Sequence, residues 1–189
     1  MRRDAGLQWL RRDQWRSRDA DAGAGEIMFA TPFTAFHTLL SLAAIVTGAC
    51  VMSMLVKNRR PDVWTLAFLA TMIATDVTGF LFPFTRLLPS HFTGILSLAL
   101  IAVALLAHYG FHFAGAWRWI YAVTMGLAVY LNYFVLVTQL FLKVDALHAL
   151  APNAPDNPEP PFLIVQAIVL AIFVWLIVKA VRNFRPAAV

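Results

Sequence analysis

Cysteine is nearly absent from this chain. Its one example, Cys50, rules out a disulfide within these 189 residues and leaves the redox compartment unread. Charge is scarce too, at 13% of residues, while 60% are hydrophobic and the mean hydropathy is +0.70. Soluble domains carry roughly 45 to 50% apolar residues, so this composition excludes an ordinary water-soluble core and points to a bilayer as second solvent. There is no phosphate-binding glycine loop, zincin helix, nucleophile elbow or spaced cysteine set, which removes the usual grounds for proposing an enzyme or a metal site. No run alternates apolar and polar residues as barrel strands do. The formal charge of +5 does not call for nucleic acid, because Lys and Arg flanking apolar runs serve as topology signals.

What is present is length of apolar run. Five segments, 33–56, 63–85, 92–115, 120–142 and 162–181, approach or exceed the roughly 20 residues that a spanning helix needs. The expected fold is all-α, a transmembrane bundle of five helices forming one membrane domain over residues 28–189. The first three breaks, "KNRRPD", "RLLPSH" and "AWRW", are short and carry charge, Pro or Trp. The fourth, "KVDALHALAPNAPDNPEPP", contains five prolines and reads as an extramembrane loop, either a rigid span or a docking strand for another membrane protein.

Flanking charge sets the expected orientation. With the first span starting outside, the inner flanks collect Lys57, Arg59, Arg60, Arg118, Lys179, Arg182 and Arg185, and the outer flanks keep Arg86 and Lys143. This favours an outward N-terminus and a cytoplasmic C-terminus. Residues 1–27 conflict with it, since their six arginines, offset by five acids, would lie outside. Either translation starts at Met28, or the segment is a genuine cytoplasmic tail and the topology is reversed. Trp64, Trp117, Trp119 and Tyr121 fall at the inner boundary as an aromatic belt.

Asp76 is the residue that lipid tolerates least, since a carboxylate at a helix centre costs about 2.5 to 3.5 kcal/mol on insertion scales. Counting at 1.5 Å per residue puts it roughly 13 Å below the outer surface, with Thr38, Ser41 and Asn132 within about a turn of that depth. His37, Gln139 and Gln166 lie higher and His91 sits at the rim. The expectation is an outward-facing polar pocket drawn from His37, Ser41, Asp76, Asn132, Gln139 and Gln166. Thr71, Thr75, Thr78 and Gly79 share a face beside Asp76, and Pro83 frees the Gly79 carbonyl to loosen the helix. Asp76 reads as a proton carrier or cation ligand, or equally as a hydrogen-bonded tether between helices. His37 heads a small-residue stripe that admits either a b-type haem or a neighbouring helix. His108 and His112, four apart, share a helix face without enough partners for a metal.

The stretches "FHTLLSLAAIVTG", "TGFLFPF", "GAWRWIY" and "APNAPDNPEPPFLIVQ" resemble an uncharacterised family of small multi-pass proteins of proteobacterial inner membranes. The resemblance covers about residues 33–186 and implies an inner-membrane helical bundle, with no activity and no functional residues attached. A histidine-bearing first helix is also loosely similar to cytochrome b561-like membrane haem proteins, although their paired inner and outer histidines on two helices are missing here. Three functions stay open: a small transport, proton-coupled or accessory protein, a b-type haem redox protein, and an assembly subunit of a membrane complex.

Overall fold

The computed structural model describes residues 32–82 and 89–185. The proposed start at Met28, the arginine-rich segment and Pro83 lie outside the described residues. The chain divides into a short unit ending at Ala35 and a compact unit from Phe36 onward. It is all-helical, with α1 (Pro32–Val56), α2 (Val63–Phe80), α3 (Pro89–Leu105), α4 (Trp117–Lys143), α5 (Asp145–His148) and α6 (Pro160–Asn183). Five helices, counting α3 together with its π-helical end, are long and apolar enough to cross a membrane. The chain is a multi-pass membrane protein.

Each boundary has a local cause. The Asp62 carboxylate caps α2 by accepting from the Trp64 amide at 2.8 Å. The helix is described to Phe80, short of the expected 85. Proline opens α3 at its first position, where a missing N–H costs nothing, so His91 lies inside the helix rather than in a turn. The far end of α3 departs most from expectation. It widens into a π-helical turn at Leu106–Gly110 and gives way to turns instead of continuing to 115, and His112, Phe113 and Gly115 all have positive φ. His108 and His112 therefore do not share a helix face.

Burial identifies α4 as the central helix. Half of its most apolar stretch is inside the protein, against 22% for α2, α3 and α6. The core joins Ala44 and Val51 of α1, Phe68 and Met72 of α2, Ile101 and Ala104 of α3, Met125 and Val129 of α4, and Phe173 of α6. Exposed apolar residues such as Leu39, Val46, Leu66 and Ile168 form the outer faces, where lipid replaces water. Successive spans alternate in direction, so the ends of α1 and α6 that follow Val56 and Asn183 meet at one end of the bundle. There the Asn183 side chain donates to the Val56 carbonyl at 2.9 Å and Arg118 donates to the Phe184 carbonyl at 2.8 Å.

Two further features depart from expectation. Tyr121 is buried among Phe113 and Phe184, with ring centroids 5.0 and 5.5 Å away, and so leaves the aromatic belt, while Trp64 and Trp119 stay exposed. The proline-rich connection does not stand away as an extended strand. It forms α5 and turns, and Ala151 and Ala154 pack on Val137, Phe141 and Phe162 in a second small core.

Candidate functional site

Two threonines of α2, Thr71 and Thr78, spend their protons on their own helix. Thr78 Oγ1 donates to the Ala74 carbonyl at 2.7 Å, and Thr71 Oγ1 to that of Ala67 at 2.7 Å. What such a hydroxyl offers a neighbouring helix is an acceptor. His37 of α1 uses one, its Nδ1 lying 2.8 Å from Thr78 Oγ1. Since the Thr78 proton is committed, the imidazole donates from Nδ1, and when the ring is neutral its Nε2 carries a lone pair. The ring lies over Gly79, where a Cβ would sit 3.6 Å from His37 Cε1, an ordinary contact distance. The edge of the ring packs on Phe82, centroids 5.1 Å apart at 86°.

Two residues earlier on α2, Asp76 is partly buried and accepts from Ser97 Oγ of α3 at 2.6 Å, a short bond as expected for a hydroxyl donating to a carboxylate. Both groups line a cavity of about 120 Å³ between α1, α2, α3 and α4, together with His37, Ser41, Thr75, His91, Thr93 and Asn132. That volume admits several waters. Asn132 is 5% exposed and its Nδ2 has no hydrogen-bond partner, and the same holds for Thr75 Oγ1. Buried polar atoms rarely go unpaired, since each costs about 1 to 3 kcal/mol, and both of these border the cavity, where a water can reach them. Among the described residues, no Lys or Arg lines the cavity. A carboxylate, an imidazole lone pair and hydroxyl oxygens make the chamber acceptor-rich.

Four of the six residues expected in the pocket come together here: His37, Ser41, Asp76 and Asn132. Gln139 is exposed on α4 and stands apart. Gln166 is buried elsewhere, its Nε2 donating to the Phe134 carbonyl at 3.1 Å and to Thr138 Oγ1 at 3.4 Å. Ser97, Thr93 and a buried His91 join instead. Ser97 carried a usable signal, since it is a lone hydroxyl in "ILSLAL" at a depth close to that of Asp76.

Among the described residues, no three His, Cys, Asp or Glu side chains gather as a metal would require. His37 and His91 share the chamber, but 120 Å³ falls below the roughly 300 to 1,000 Å³ of ordinary small-molecule pockets, so haem does not fit. His108 stacks on Phe113 at 4.9 Å and belongs to the aromatic cluster at the other end. Comparisons with protein-family models, curated proteins and solved structures find no match. The family likeness therefore rests on its motifs alone, and the fold supports a five-helix membrane protein.

Proposed function

We propose that this chain is a small transport protein of a bacterial inner membrane that binds a proton or a monovalent cation at Asp76, in a chamber on its outward side. The carrying observation is an acid inside the spanning region, lining a cavity with room for water in which no described residue is Lys or Arg. A carboxylate serving only as a tether between helices would need Ser97 and nothing more. Here the Asn132 amide and Thr75 hydroxyl also face the chamber. His37, held as an acceptor by Thr78, supplies a second site for a proton or a neutral ligand atom for a cation.

The test is flux in vesicles carrying the purified protein, with an internal pH dye and an imposed potassium diffusion potential, repeated with sodium and potassium gradients. The wild type should move protons or one of these cations faster than protein-free vesicles. Asp76→Asn should fall to background, and Ser97→Ala should lose about tenfold, as expected for losing a charge-assisted hydrogen bond. Background flux from the wild type for every ion, or full flux from Asp76→Asn, would overturn the proposal.

A further inference from the structure

The second cavity is of another kind and lies at the opposite end. It is a groove of about 420 Å³ with Ala49 and Ser53 of α1 and Lys57 just past its end on one wall, Phe173 and Leu176 of α6 on the other, and Tyr133 of α4 behind. The Lys57 amide still bonds the Ser53 carbonyl at 3.0 Å, so these three positions, four apart, follow one helical face. Tyr133 donates to the Ile45 carbonyl at 3.4 Å, which spans the back of the groove. The Asn183 to Val56 bond ties α1 to α6 at the same end as Lys57. The groove is thus an apolar slot between two helices running the same way, with one ammonium group at its mouth.

We infer that this slot holds one acyl chain of an anionic phospholipid, with Lys57 paired to the phosphate. Charge is the argument for the occupant. The lining contains no acid, and Lys57, Arg59, Arg182 and Arg185 gather at the same end, where the Arg185 amide bonds Asn58 Oδ1 at 2.6 Å. Among the described residues, Asp62 is the one acid at that end, and its carboxylate caps α2. Basic clefts between spanning helices at a membrane surface attract anionic headgroups, and an apolar slot below such a cleft accepts the chain. The volume lies within the range of small-molecule pockets, and the lining offers a peptide few polar partners. This site is separate from the Asp76 chamber and stands whether or not ions pass there.

The experiment is native mass spectrometry of the full chain in mild detergent, titrated with phosphatidylglycerol or with phosphatidylcholine of the same chains. The wild type should retain one phosphatidylglycerol roughly fivefold better than one phosphatidylcholine, the gain expected from one surface cation. Lys57→Gln should erase that preference while keeping weak binding of both lipids. Ala49→Phe, at an exposed position facing the slot, should reduce retention of both. Equal retention of the two lipids by the wild type would overturn the inference, as would an undiminished preference in Lys57→Gln. So would an Ala49→Phe variant that binds lipid normally but shifts from dimer to monomer, since a second copy would then occupy the groove.

Discussion

Because the Thr78 hydroxyl proton already binds the Ala74 carbonyl, His37 has one way to make its 2.8 Å contact, which is to donate from Nδ1. This fixes the tautomer and keeps Nε2 as an acceptor. Nitrogen-15 shifts of His37 should therefore report the Nδ1–H form, and Thr78→Val, close in volume but with no oxygen, should release it toward a mixture. The variant should lose about 1 kcal/mol of stability, as for a single hydrogen bond between helices. Unchanged shifts in Thr78→Val would show that another group holds the ring. Much of this site was legible in the sequence. Asp76, Ser41, His37 and Asn132 were found by counting depth along helices, which needs only a rise per residue. Depth says nothing of direction about the helix axis, and for that reason Gln139, polar and expected somewhat higher in the same half, turns out exposed and apart. The Ser97 to Asp76 and His37 to Thr78 pairs were illegible because each requires knowing which faces two helices turn toward each other.

Helix packing here depends on two close approaches. At Gly48 a Cβ would come 3.1 Å from Val129 Cγ1 and 3.2 Å from Phe68, locking α1 against α2 and α4. At Gly126 a Cβ would meet Ile177 Cγ1 at 2.5 Å, so α4 and α6 can cross there only because the side chain is absent. Gly126→Ala should destabilise the detergent-solubilised protein by about 1 to 3 kcal/mol, the usual cost of overpacking. In the double variant Gly126→Ala with Ile177→Ala the clash disappears, so the loss should be smaller than the sum of the two single losses. Additive losses would mean that α4 and α6 separate elsewhere. Element boundaries show where sequence reading stops. The spans were legible because lipid demands long apolar runs, whereas the end of α3 was not. Its π turn comes in "LLAHYG", before any proline and within an unbroken apolar stretch, and Gly115, the residue most suited to positive φ, lies beyond the actual break.

At the scale of the whole molecule, the two ends differ in kind. One holds the Asp76 chamber and the folded loop over α4 and α6, and the other gathers Lys57, Arg59, Arg118, Lys179, Arg182 and Arg185. Basic flanks stay on the cytoplasmic side because translocating them is costly, so the chamber should open outward. The opposing pull comes from the arginines of residues 1–27, which favour the reverse insertion. Two exposed positions on opposite sides decide between these. Ala116 precedes α4 at the basic end and Asp156 lies in the loop before α6, and each can carry a single cysteine once Cys50 is changed to Ser. With a membrane-impermeant maleimide on intact spheroplasts, Asp156→Cys should react at once and Ala116→Cys only after permeabilisation. The same pattern should hold for chains starting at Met1 and at Met28 if the inner flanks dominate. A reversed pattern in the longer chain alone would assign the N-terminal arginines to the cytoplasm and turn the chamber inward, leaving its chemistry intact but changing the side from which it is filled.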